Sequence, residues 1–300
     1  MNTAFDVPGN WYKGITHIHS TVSDGKWTVP QLAEWYKTRG YDFWILTDHL
    51  VCTDTHSLST STFLTIPGIE IHGPDPAIGR TPHLVGLGAG IEGHVEQGTG
   101  MQQMIDQING KDMLAVVAHP YWSALLDQHL AAATGYVAIE IYNHTCWEHV
   151  GKGDSLTYWD NLLYAGRRVW GIAVDDAHCS LNPPDVGGGW IVVKAPALTE
   201  TAVLEAIRDG HFYASQGPAI YDWTVRDTTV QVRCSPVERI QLNAPNGSGR
   251  MARASQGEAI SEATFTLSEL PPYLRVTCVD HQRLRAWTNP VFPDRPVAQS

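Results

Sequence analysis

Histidines and carboxylates recur at the ends of short apolar runs in this chain, and they recur in order. Thr16-His17-Ile18-His19-Ser20 closes the first run, with Ser23-Asp24-Gly25 just beyond it, and Thr47-Asp48-His49 closes the second. Ile69-Glu70-Ile71-His72 lies in the third, Pro82-His83 opens the fourth, Ala118-His119-Pro120 ends the fifth, and Asp175-Asp176-Ala177-His178 ends the seventh. Alternate side chains of an extended strand share a face, so His17 and His19 can reach one ion. Imidazole mixed with carboxylate is a donor set that divalent transition metals accept. A single His-x-His pair is ordinary, and a lone histidine is more often a hydrogen-bonded core residue. The ordered series is what points to a site for several metal ions.

The elements that must carry these residues can be read from periodicity. Apolar runs over 15–19, 42–47, 63–71, 83–87, 113–118, 136–142 and 169–174 alternate with amphipathic stretches. Thr28-Val29-Pro30 opens a helix with an N-cap residue and an early proline, and Gly40 closes it. Further helices are predicted over 98–109, 123–133, 155–165 and 199–209. Strand–helix alternation with nearly continuous apolar strands predicts a parallel, barrel-like α/β domain, whose active face lies at the C-terminal strand ends. After Gly217-Pro218 the texture changes to short strand-like segments separated by Pro, Gly and Asn turns. Residues 1–218 are therefore read as one α/β domain and 219–300 as a small antiparallel β appendage.

The charge follows the same division. The chain of 300 residues carries a formal net charge of -11. Residues 219–300 hold 9 Lys and Arg against 8 Asp and Glu, so the whole excess of acid lies before them, where 13 of the 14 histidines also sit. Such an acidic surface argues against a nucleic-acid duplex or an anionic membrane as partner. No stretch has the length and apolarity of a membrane span, and no secretory leader is evident. Five widely spaced cysteines suggest neither a disulfide framework nor a thiolate zinc site. The expectation is a cytoplasmic protein; oligomeric state is not legible.

The series HxHS, SDG, TDH, GIE, AHP and DxH resembles the polymerase-and-histidinol-phosphatase (PHP) superfamily of metal-dependent phosphoesterases. It is most similar to the branch of small standalone hydrolases that includes carbaryl-hydrolase-like proteins. Residues 210–218 and Ala286-Trp287-Thr288-Asn289-Pro290 share the likeness, so it spans nearly the whole chain. The resemblance implies a distorted (β/α)7 barrel holding two to three divalent ions, zinc, manganese or iron. It implies a first metal held by His17, His19, Glu70 and Asp176, a second by Glu70, His83 and His119, and a third by Asp24, His49 and His178. His72 and His94 are alternatives to His83.

The activity so implied is hydrolysis of a small phosphoester by a hydroxide shared between ions about 3.5–4 Å apart. Three ligand carboxylates against three divalent ions leave a cationic centre, which suits an anionic small-molecule substrate. Catalytic roles fall to Glu70, Asp176 and His178 within the ligand set. Asn143 and His144, at the end of the sixth run, are candidates to bind substrate or protonate a leaving group. Lys26 and Arg80 are the cations nearest in sequence that could hold a phosphate. Asp48 and Asp175 either orient ligand imidazoles or cap turns, and Trp27 and Trp122 either pack in the core or meet a flat substrate group. The same metal centre could instead cleave a carbamate, amide or carboxyl ester. A non-enzymatic reading, a PHP-like binding or scaffold module, is disfavoured by the acidic first domain.

Overall fold

The structure, a computed structural model, describes residues 3–293; positions 294–300 of the C-terminal stretch lie outside the described residues. Its first half contains β1 (Asn10–Ile15), α1 (Val29–Thr38), β2 (Phe43–Leu46), β3 (Val51–Cys52), β4 (Leu64–His72), β5 (His83–Leu87), β6 (Gly93–His94), α2 (Met101–Asn109), β7 (Leu114–Val117), α3 (Asp127–Ala132), β8 (Ala138–Asn143) and α4 (His144–Val150). There follow α5 (Leu156–Tyr164), β9 (Trp170–Val174), β10 (Trp190–Ala195), α6 (Glu200–Arg208) and β11 (Phe212–Ser215). The rest is β12 (Ile220–Arg226), β13 (Thr229–Val237), β14 (Arg239–Asn243), β15 (Arg250–Arg253), β16 (Ile260–Thr266), β17 (Arg275–Val279) and β18 (Arg285–Thr288). All five predicted helices form. The additional α4 follows directly on β8, where Asn143 caps it by accepting from Cys146 N at 2.9 Å.

Thirteen strands make one mixed sheet in the order β15-β14-β17-β18-β11-β10-β1-β2-β4-β5-β7-β8-β9. The expected (β/α)7 barrel does not close, and two features of the chain explain this. The connection between β4 and β5, residues 73–82, is too short for a helical crossover, so β5 turns back antiparallel with His72 opposite His83. Along its outer edge β1 pairs with β10, from Asn10↔Ala195 to Gly14↔Ile191, and that edge is the one β9 would need. The chain beyond β9 meets the chain beyond β1 through the isolated bridge Ile18↔Ala177, with Asp176 N donating to His17 O (2.9 Å) and His19 N to Ala177 O (3.0 Å), and through Lys26 N, which donates to His178 O (2.8 Å). Those contacts lie where the metal-type motifs stand.

The sheet is held by a continuous apolar cluster. Phe43, Trp44, Ile45 and Leu46 of β2 are all buried, as are Ile69 and Ile71 of β4, Val116 and Val117 of β7 and Ile139 and Ile141 of β8. A second cluster joins Trp223, Val230, Val232, Ile240, Phe265 and Val276 among the C-terminal strands. Those strands pair antiparallel, but they do not form one separate layer. β12, β13 and β16 make their own sheet, while β18 pairs with β11 and brings β17, β14 and β15 into the large one. Asn289 strengthens the junction: its Oδ1 accepts from Gly171 N of β9 (3.0 Å) and its Nδ2 donates to Gly210 O and Phe212 O. Among the described residues no helix is long and apolar enough to cross a membrane.

Candidate metal centre

Each ligand-type residue stands where a strand gives way to a loop. His17 and His19 follow β1, His49 follows β2, Glu70 is the third residue from the end of β4, His83 opens β5, and His119 lies two residues past β7. Asp176 and His178 follow β9. His119 (φ 25°) and Asp176 (φ 54°) both sit in the left-handed region, a strained backbone for residues other than glycine that commonly marks a functional site. Asp24 is placed by a turn fixed on Asp48, whose carboxylate accepts from Ser20 N (2.7 Å), Ser20 Oγ (2.7 Å) and Ser23 Oγ (2.6 Å). Gly25 completes that turn because a Cβ there would collide with the His19 carbonyl.

The structure brings all nine residues together. His17, His19, Glu70 and Asp176 form one converging group, Glu70, His83 and His119 a second, and Asp24, His49 and His178, joined by His19, a third. Glu70 links them, since its two oxygens face different partners. Oε1 lies 2.8 Å from His83 Nδ1 and 3.3 Å from His119 Nε2, while Oε2 lies 3.3, 3.2 and 3.0 Å from His17 Nε2, His19 Nε2 and His49 Nδ1. Asp176 Oδ1 is 3.2 Å from His17 Nε2 and 3.0 Å from His19 Nε2. His178 Nδ1 donates to Asp176 O (2.9 Å), which leaves its Nε2 3.3 Å from Asp24. His94 is exposed on β6 and joins no group. His72 stacks on His83 at 4.9 Å and, with His49 and His83, makes a further three-histidine group.

These residues fit divalent cations, and the observation is an unsatisfied one. Glu70 Oε2, His19 Nδ1 and His49 Nδ1 are buried polar atoms without a hydrogen bond. Three imidazole nitrogens surround Glu70 Oε2 at hydrogen-bond range, yet none is aligned to donate to it. His17 Nε2 and His19 Nε2 face each other at 3.1 Å, where two neutral imidazoles cannot both present lone pairs. A buried carboxylate oxygen and converging nitrogens of this kind call for positive charge between them. Protonation responds to the same demand. Burial disfavours the charged form of His19, but Asp176 and Glu70 overcome it and raise the imidazole to about 9. Burial acts alike on His17, and Asp176, Glu140 and Glu70 likewise lift it well above its usual value. His49 goes the other way, lowered to about 4 by burial, and stays a neutral donor.

The residue that orients the candidate ligands was not among those singled out by sequence. Glu140, buried in the middle of β8, accepts from His17 Nδ1 (2.6 Å), from His119 N (2.8 Å) and from Asn143 Nδ2 (2.8 Å). Its signal was a lone charged residue inside the apolar run 136–142. Asp48 and Asp175 touch no ligand imidazole: Asp175 accepts from Tyr36 Oη and from the amides of Gly187, Gly188 and Gly189, so it holds a loop.

A cavity of about 310 Å³ opens onto the groups, walled by Asp24, His83, His119 and Asp176 and by Trp122, Cys146, His149 and Val150. Several residues read as substrate contacts lie elsewhere. Arg80 ties its loop to the one after β7, donating from Nε to Ala124 O (3.0 Å) and from Nη1 to Gly79 O (2.9 Å). Lys26 is exposed and contributes its backbone amide to His178 O. Among the described residues no lysine or arginine lines the cavity. Asn143 is buried behind Asp176, donating to its Oδ2 at 3.0 Å. His144 bonds Tyr142 Oη (3.0 Å) and packs on Gly188, away from the cavity wall. Trp27 packs beside Trp35, whereas Trp122 is 43% exposed and meets His83 and His119 edge-on at 5.4 and 5.0 Å.

No family model and no curated protein matches the sequence. Among solved structures, a two-domain protein from Bacteroides vulgatus, described as containing a predicted PHP-like metal-dependent phosphoesterase, aligns over 96% of this chain and 98% of its own. The identity is 15% and the TM-score 0.56. An amidohydrolase from Chromobacterium violaceum aligns over 55% of this chain and 87% of its own, at 18% identity and a TM-score of 0.40. The second likeness is too distant to carry an argument, and neither distinguishes the carbaryl-hydrolase-like branch. The first extends over nearly the whole of both chains, and it shows that this chain has the fold of a PHP-like protein.

Proposed function

We propose that the chain is a metal-dependent hydrolase of a small phosphoester, bound at the cavity above the Glu70 cluster and belonging to the PHP superfamily. The observation that carries this reading is Glu70 Oε2, buried among three imidazole nitrogens and bonded to none. Divalent ions held by the nine residues would polarise the scissile group and lower the pKa of a water. The protein's own part is positional. Glu140 fixes the His17 ring so that Nε2 faces the cluster and anchors the backbone of His119, while Asn143 holds Asp176 from behind. Cys146 is no nucleophile, because burial pushes its thiol far above the neutral range.

A specific observation favours a second reading. With no lysine or arginine on the wall and Trp122 and Val150 exposed beside the cluster, an aryl carbamate or carboxyl ester would find apolar contact there, and an anion would be held by the metals alone. A PHP-like scaffold has no use for an exposed cavity over unsatisfied ligand atoms. We treat residues 219–300 as a supporting unit that covers the β11 edge. The test is elemental analysis of the purified protein, paired with phosphoester and carbamate substrates. Two to three divalent ions per chain and phosphoester turnover are expected, both lost in Glu70→Gln. A metal-free protein, or one equally active with Gln at this position, refutes the reading.

A further inference from the structure

Hydrolysis of a poor leaving group needs a proton donor, and the cavity wall narrows the choice. Its titratable side chains are the ligand residues, Cys146 and His149. The ligand imidazoles and carboxylates turn inward to the cluster, and the Cys146 thiol holds its proton because it is buried. Thr145 and Ser180 bear hydroxyls too weakly acidic to protonate an alkoxide at neutral pH. His149, in the last turn of α4 and 37% exposed, is the remaining imidazole, and imidazole is the side chain that exchanges protons near neutrality.

His149 also has a buried carboxylate beside it. Its Nε2 lies 3.8 Å from Oδ2 of Asp185, a fully buried carboxylate. Asp185 is itself fixed by Thr145 Oγ1 (2.7 Å), Cys179 N (2.7 Å) and His178 N (3.3 Å). One carboxylate therefore joins the helix that carries His149 to the loop that carries the ligand His178. With Nε2 turned to Asp185, Nδ1 is the ring nitrogen left to serve as donor.

We propose that His149, set beside Asp185, protonates the leaving group. The inference rests on the hydrolase reading above. For an ester R–O–X, water oxygen bonds to X, and the O–X bond breaks with its electron pair passing to R–O. The leaving oxygen takes the proton from His149, the proton released by water goes to solvent, and His149 regains one from solvent. The products are R–OH and X–OH.

The test is His149→Asn measured with metal-loaded protein on matched phosphoester and carbamate series sharing the same alcohols, from 4-nitrophenol through phenol to an alkanol. The variant is expected to keep the metal content of the wild type. Its kcat should fall about 10²–10⁴-fold on the alkyl substrate, the usual weight of general acid catalysis, and much less on the 4-nitrophenyl one, which leaves without a proton. A uniform loss along the series, or none, overturns the assignment. Loss of metal from the variant overturns it too, by making His149 a ligand. Wild type inert on both series would overturn the hydrolase reading, and this inference with it.

Discussion

Glu140→Gln changes one atom and should weaken metal binding at two of the three ligand groups. Two carboxylate oxygens of Glu140 accept three hydrogen bonds, from His17 Nδ1, His119 N and Asn143 Nδ2. Glutamine offers one oxygen and a donor NH2. If its oxygen stays on His119 and Asn143, the NH2 faces His17 Nδ1 at a site fully removed from solvent. His17 must then move its proton to Nε2, the nitrogen that faces Glu70 and Asp176, and the lone pair needed by a metal is lost. If the oxygen turns to His17 instead, the His119 amide and Asn143 meet a donor, at about 1–3 kcal/mol for a buried unsatisfied group. Either arrangement predicts a 10–100-fold loss of metal affinity, typical for residues behind a ligand and equal to roughly 1.4–2.7 kcal/mol. Competition with a chromogenic chelator at fixed pH measures it, with circular dichroism as the check on folding. A variant that binds metal within twofold of wild type while remaining folded would refute the role given to Glu140.

Further outcomes follow from other contacts. Asp48→Ala releases the turn that carries Asp24 and should lower the metal content by about one ion per chain, read by elemental analysis, with the fold intact by circular dichroism. Trp122→Ala should raise KM for substrates with an aromatic group several-fold while changing KM for alkyl substrates little, which steady-state kinetics would show. Asp160→Ala strips the carboxylate from Arg275, whose buried guanidinium it contacts at 2.8–2.9 Å; because Asp160 is itself 40% exposed, a loss of about 1–3 kcal/mol is expected by urea denaturation, with Arg275→Met milder. Deleting residues 219–300 uncovers β11 and removes Asn289 from β9, so the remainder should be insoluble or markedly less stable; a soluble, fully active fragment would show that the C-terminal strands are dispensable.

The candidate ligand residues were legible because strand ends combine two signals, a short apolar run and a polar residue that cannot belong to it. His19, His49, His119 and Asp176 all announce themselves this way. Glu140 did not, because it lies within its run rather than at the end, where a buried glutamate has no local excuse and only tertiary partners explain it. His144 and His149 share one short helix, and without the backbone of α4 nothing in the sequence says which faces the cavity. Arg80 shows the converse failure: nearness along the chain to His83 says nothing about a guanidinium taken up by the carbonyls of Gly79 and Ala124. Barrel closure was beyond local signals altogether, since pairing of β10 on the free edge of β1 links residues some 180 apart. The reversal of β5 was within reach of loop-length arithmetic, because ten residues cannot carry a helix back across the sheet.

Six buried carboxylates cluster around one cavity, and their partners divide them into two kinds. Asp48, Asp175 and Asp185 are satisfied chiefly by backbone amides and hydroxyls: three glycine amides and a tyrosine for Asp175, two amides and a threonine for Asp185, one amide and two serines for Asp48. Those groups remain paired whether or not an ion is present, and they hold the loops that carry Asp24 and His178. Glu70 and Asp176 have no backbone donor; their oxygens meet imidazole nitrogens and, for Asp176, one asparagine. No lysine or arginine pairs with any of the six among the described residues. Burying such charge without a cation costs several kcal/mol per ion. The frame is thus self-sufficient and the centre is not, which places the demand for a cation at Glu70 and Asp176 rather than spreading it over the acidic chain. Glu140 stands between the two kinds, taking one backbone amide and one ligand ring, and through it the frame dictates which nitrogen of His17 is left for the centre.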